Sequence, residues 1–205
     1  MRTSLSRVFL LVAAVTITGC AGRLPLRGLE LVPATDPSYV AADAAGATGV
    51  PGEGKVTKPY VVRLTRDMPV WRLWAGPEEL DAQGRTSRIG QWWTLDRPVG
   101  TLASYRRRYE VCEKWDTLRW VAQCTLRRGS VVVIGPGQSV SEQTCGKPGE
   151  SYPVNERDFQ TYIHEAWKRT GQPDSELSCP DVSRDYENDP LDIAKPAKPG
   201  ALRKP

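Results

Sequence analysis

Histidine occurs once in these 205 residues, no two cysteines stand in a CxxC pair, and no apolar run reaches the length of a bilayer span. The first two absences remove the usual zinc sites, which draw on clustered thiolates and imidazoles. The third leaves no stretch to read as a transmembrane helix. No catalytic motif stands complete. Gly135-Pro136-Gly137-Gln138-Ser139 has the composition of a phosphate-cradling turn, but the Lys-Ser/Thr pair is missing and no helical pattern opens behind it. A large excess of charge is lacking too: 28 Lys and Arg against 24 Asp and Glu give a formal +4, with several of the cations near the two ends. A nucleic-acid partner is therefore not expected.

The ends hold the clearest signals. Arg2 and Arg7 precede an apolar stretch from Val8 to Val15, and Ile17-Thr18-Gly19 brings small residues up to Cys20. That order of basic, apolar and small segments is a secretory signal. With a cysteine directly after Gly19, the Ile-Thr-Gly-Cys stretch resembles the lipobox of a bacterial lipoprotein. The resemblance implies cleavage after residue 19, diacylglycerol on Cys20 and acylation of the new amine, hence a membrane partner and a place in the cell envelope. Ala21 in the following position implies sorting to the outer membrane. Residues 20–58 are rich in Ala, Gly and Pro without a sustained period, which predicts a flexible tether. Residues 191–205 read as a disordered Pro/Lys tail.

Between these ends, residues 59–190 have room for one domain. Tyr60 to Leu64 and Val70 to Trp74 are β-prone, with Val70, Arg72 and Trp74 on one face of the second strand. Gly90 to Leu95 resumes as a short strand. A helix from Thr101 would align Leu102, Tyr105 and Tyr109, with Arg106 to Arg108 mostly outward. Leu118 to Leu126 alternates as a half-buried strand, with Val121 on the outward side, and Ser130 to Ile134 suggests a strand covered on both faces. Residues 155–169 fit two readings. Phe159, Tyr162, Ile163, Ala166 and Trp167 recur at helical spacing behind Asn155, which favours a helix; as a strand, Gln160 and Tyr162 would share a face. The sum is an α+β domain with a small mixed or antiparallel sheet and a few short helices.

Apart from Cys20, the exported chain has Cys112, Cys124, Cys145 and Cys179, an even number that predicts two disulfides. Three pairings are open. Cys112 with Cys124 and Cys145 with Cys179 is the one that closes two separate loops.

The stretch from Met68 to Tyr109 concentrates four of the seven tryptophans, together with Arg72 and the Gly90-Gln91-Trp92-Trp93-Thr94 run, as a cleft would. With Arg72 in Val-Trp-Arg-Leu-Trp and Thr94 in Trp-Trp-Thr, the region resembles ADP-ribosyltransferase-like domains of bacterial polymorphic toxins. That resemblance covers about a quarter of the chain. It implies a split sheet around an NAD cleft, with Arg72 on a phosphate or ribose, Thr94 ordering the nicotinamide side and Trp92 or Trp93 as a wall. The third member is a Glu or Gln on a late strand: Gln160 if 155–169 is a strand, Glu150 or Glu156 if not. NAD is then a substrate, consumed by ADP-ribosyl transfer or glycohydrolysis. The alternative is a non-enzymatic lipoprotein, an immunity, inhibitor or exclusion factor, that holds a protein through its Trp, Tyr and Arg surface.

Overall fold

The structure, a computed structural model, describes residues 27–198, so the signal segment and Cys20 lie outside the described residues. Among the described residues, ten strands form one sheet in which every named pair is antiparallel. In chain order they are β1 (Leu29–Leu31), β2 (Tyr60–Leu64), β3 (Met68–Trp74), β4 (Trp92–Thr94), β5 (Trp120–Leu126), β6 (Val131–Gly137), β7 (Asn155–Tyr162), β8 (Leu177–Ser178), β9 (Tyr186–Asp189) and β10 (Asp192–Pro196). Among the same residues four short α-helices accompany them: α1 (Pro37–Ala41), α2 (Ala44–Ala47), α3 (Leu102–Arg108) and α4 (Glu142–Cys145). Across the sheet the order is β1-β2-β6-β7-β4-β3-β5-β9-β10, with β8 beside β5. The α+β class expected from the sequence is what forms.

The weak seam of this sheet lies at its centre. β3 is registered with β5 along its whole length, from Met68 opposite Leu126 to Trp74 opposite Trp120, and β4 is registered with β7 along its own. Between β3 and β4, however, a single facing pair exists, Trp71 opposite Thr94. The sheet is two ladders joined at one point, and a gap opens where β3 runs on through Arg72 without β4 beside it.

Alternation along the strands assigns the two faces. On one, Val62, Val70, Cys124, Leu126, Ile134 and Trp93 pack into the main core. On the other, α3 lays Tyr105 and Tyr109 over Leu73 and Val121. Thr101 caps this helix, its hydroxyl accepting from the Ser104 N–H at 3.1 Å. Val121, expected outward, is buried because α3 covers that second face.

Four further expectations are corrected. Residues 155–169 do not form a helix: 155–162 are β7, held on one side by β6 and on the other by β4, and only Ala166–Lys168 makes a single 3₁₀ turn. Pairing along both edges overrides the helical spacing. Asn155, which would stand at the start of that helix, instead accepts the N–H groups of Arg157 and Asp158 at a bulge in the β6–β7 ladder. The expected tether is structured from β1 onward, with Val32, Ala42, Ala47 and Val56 buried against Val61, Val133 and Tyr162. Asp36 and Asp43 cap α1 and α2, so the segment turns locally and shows no long period. At the other end, β10 pairs with β9 and buries Ile193 completely, which extends the fold to Pro196.

The four cysteines do form two disulfides, but Cys112 joins Cys145 and Cys124 joins Cys179. The loops overlap in sequence, with separations of 33 and 55 residues. Each restricts the unfolded chain by about 3 to 4 kcal/mol in the chain-entropy account. Cys124–Cys179 ties the segment after β8 beneath the main core, and Cys112–Cys145 fixes the loop that follows α3 to α4.

Candidate functional site

The cavity opens at the seam between β3 and β4. It has a volume of about 420 Å³ and is walled by three groups of residues: Arg72, Trp92, Thr94 and Gln160 from the sheet, Tyr105, Tyr109 and Glu110 from α3 and its end, and Glu53 and Lys55 from the N-terminal segment. Trp115 and Asp116, in the loop behind Cys112, complete its border. All five cleft residues inferred from the sequence, Arg72, Trp92, Trp93, Thr94 and Gln160, border this one cavity.

Register explains why they meet. Thr94 faces Trp71 on one side and Gln160 on the other, so Thr94 and Gln160 are lateral neighbours on one face. Trp92, two residues before Thr94, shares that face and packs on Tyr162 with ring centroids 5.0 Å apart. Trp93 turns the other way: only 2% exposed, it sits in the main core and its indole N–H donates to the Gly90 carbonyl at 2.6 Å. Trp92 is thus the wall and Trp93 its foundation. Glu150 and Glu156, the alternatives to Gln160, do not line the cavity.

Arg72 reaches across the gap. Its Nε donates to the Ser87 carbonyl at 2.8 Å and its Nη1 to the Trp92 carbonyl at 2.7 Å. A guanidinium carries five N–H groups; the rest, including both on Nη2, have no acceptor among the described residues. No carboxylate lies within ion-pair distance of it among those residues either, and burial lowers its pKa. Gly90 permits the approach, since a Cβ there would stand 2.5 Å from the guanidinium carbon. The neighbouring Arg88 anchors this segment by a bidentate pair with the buried carboxylate of Asp185 at 2.7 and 2.9 Å.

Glu110 is the member that sequence reasoning missed. It follows the last residue capping α3 and has a left-handed backbone, φ 49°, at a position where glycine or asparagine is usual. A glutamate held there is backbone strain of about 1 kcal/mol or more. Its side chain is 1% exposed. Oε2 accepts from the Gln160 Nε2 at 2.9 Å, and Oε1 is buried with no partner among the described residues. Gly137 on β6 makes the room, because a Cβ there would lie 1.7 Å from Oε2. Burial, with the Asp158 charge adding to it and the Gln160 bond opposing it, pushes the Glu110 carboxyl up to about 8. The one available signal was a non-glycine residue ending a short helix just ahead of Val111-Cys112.

The wall beside Glu110 is built by Arg106. Expected outward, Arg106 is buried and donates to the carbonyls of Val111, Cys112, Asp116 and Thr117, which shapes the loop carrying Trp115. Of the other two arginines in that run, Arg108 pairs with Asp158 at 2.6 Å.

No family model matches the chain, and no curated protein does. Among solved structures, a chain from the structure of Tne2 in complex with Tni2 is similar at 15% identity and a TM-score of 0.38, over 64% of this chain and 92% of that one. A likeness at that level carries no functional weight.

The raised Glu110 carboxyl ties stability to pH. Below about pH 4.5 folded and unfolded chains both hold its proton; between there and about pH 8 the folded protein keeps a proton that the unfolded chain has released. Stability from this group is therefore full in acid and falls as pH rises through about 8. Glu110→Gln should remove that loss, so the melting temperature of the variant relative to wild type should climb between about pH 5 and 9. Parallel melting curves across the range would contradict the burial and ionisation assigned to Glu110.

Proposed function

We propose that the protein is an envelope lipoprotein whose domain takes NAD or a related dinucleotide into the cleft and cleaves or transfers at the nicotinamide–ribose bond. The observation that carries this reading is the meeting of Arg72, Trp92, Thr94 and Gln160, from three adjacent strands, in one cavity at the seam of a divided sheet. Its volume falls in the roughly 300 to 1,000 Å³ range of small-molecule sites. The free N–H groups of Arg72 suit a phosphate or ribose oxygen, and a cation without a carboxylate partner gains most from an anionic ligand. Trp92 offers a flat face to an aromatic ring, with Thr94 and Gln160 side by side on the same face of the sheet.

The fork of Arg72 also holds two carbonyls, so its loss has two expected effects. Arg72→Lys should lower the melting temperature by a few degrees, as loss of about 1 to 3 kcal/mol does. At a temperature where the variant remains folded, it should bind NAD roughly ten- to a hundredfold more weakly, the fork being lost while the charge stays. Calorimetric titration of NAD into wild type decides first. No heat at millimolar NAD would remove the dinucleotide reading and favour the second one, capture of a protein partner, for which the half-exposed indoles of Trp115 and Trp167 provide anchors.

The two disulfides fit an oxidising compartment outside the cytoplasm. We place the chain at the envelope through acyl chains on Cys20, in keeping with the Ile-Thr-Gly-Cys stretch. Cys20→Ser should leave the protein without acyl chains and move it from the membrane pellet to the soluble fraction. Retention in the pellet at unchanged mass would count against the anchor.

A further inference from the structure

Hydrolysis at an N-glycosidic carbon needs a group that takes a proton from the attacking water. Gln160, at the position implied by the resemblance, is a carboxamide and cannot do so. The tyrosines beside it stay neutral, Tyr109 with its phenol pushed up to about 12 and Tyr105 further still, both by burial. Of the carboxyl groups at the cavity, Glu53 is exposed at the mouth, and Asp116 is half-buried with Oδ1 already accepting the Leu118 N–H at 2.9 Å. Glu110 alone combines burial, a place in the wall and an oxygen without a partner.

We infer that Glu110 is the proton acceptor of this cleft, a catalytic carboxylate supplied from the end of α3 and aimed by Gln160, which holds its other oxygen. The inference rests on the dinucleotide reading of the cleft. In the step, a water oxygen bonds to the ribose C1′ while the C1′–N1 bond breaks and its electron pair goes to the pyridinium nitrogen, releasing neutral nicotinamide. The water's proton passes to Glu110 and from there to solvent, so NAD and water give nicotinamide, ADP-ribose and a proton. Gln160 is thereby a positioning residue: its Nε2 donates to both the Tyr109 carbonyl at 3.0 Å and Glu110 Oε2 at 2.9 Å, which pins the carboxyl to the end of the helix.

The pH behaviour is set by the groups that face Glu110. Asp158 on β7 raises its pKa and the Gln160 bond lowers it, Tyr109 next to it is neutral, and the glycine of β6 beneath it has no charge. Lys55 and Arg72 share the cavity, with Glu53 and Asp116 at its border. Free enzyme should therefore gain activity as pH rises toward about 8. A bound pyridinium favours the carboxylate, so the limb for kcat should lie at lower pH than the limb for kcat/KM.

Nicotinamide release from NAD by the full chain, followed against pH, tests this. For wild type, kcat/KM should climb about tenfold per pH unit and level near 8, and Glu110→Gln should cut kcat about a hundredfold or more, abolish the limb and leave NAD affinity within a few-fold. Wild type that neither binds nor cleaves NAD would overturn the dinucleotide reading and this role with it. A wild type that cleaves NAD while Glu110→Gln keeps its rate and pH profile would overturn the role of Glu110 alone. Should Glu110→Gln fail to fold, the wild-type profile decides: a flat rate between about pH 6 and 9 rejects Glu110 as the acceptor.

Discussion

Everything at the centre of this fold depends on how the guanidinium of Arg72 spans the seam. β3 and β4 share one facing pair, and beyond it two bonds from Arg72, to the carbonyls of Ser87 and Trp92, do the work of the missing ladder. Hydrogen bonds from a charged donor contribute about 1.5 to 3 kcal/mol each, enough to hold two half-sheets in register over a short gap. The same arrangement leaves a half-buried cation in the cavity wall with no ion-paired carboxylate among the described residues. Closing the gap with an ordinary ladder would have secured the sheet and erased the cleft.

The opposite wall obeys a similar logic. α3 is a short helix, stabilised by its cap and by the tyrosines it buries, and its end is over-determined by neighbours. Arg106 gathers four carbonyls of the loop behind the helix, and Cys112–Cys145 ties that loop to α4. These constraints hold Glu110 in a left-handed conformation and keep its carboxyl away from bulk solvent. Strain and desolvation there are tolerated because the surroundings allow no alternative, a pattern that clusters at functional sites.

Much of this was legible in the residues. The strands from Tyr60, Val70 and Gly90 and the helix after Thr101 follow from alternation, turn residues and capping, and the aromatic density around Arg72 pointed to the cleft. What resisted has particular causes. Residues 155–162 satisfy a helical and an alternating pattern at once, and only pairing with β6 and β4, both distant in sequence, decides between them. The N-terminal segment packs through small residues in short capped turns, too brief to set up a period. Cysteine spacing leaves three pairings open, and the observed one depends on where α4 and β5 end up. Glu110 reads as one more polar residue after an arginine run until the backbone shows it turned inward.

The central claim is that the seam between β3 and β4 is where a dinucleotide binds. Amide hydrogen exchange on the full chain, with and without saturating NAD, tests it without reliance on turnover. Slowed exchange should be confined to Trp92–Thr94, the end of α3 through Glu110, and the stretch of β7 around Gln160, leaving β1 and β10 unchanged. No change anywhere, or protection that avoids these three segments, would contradict the account.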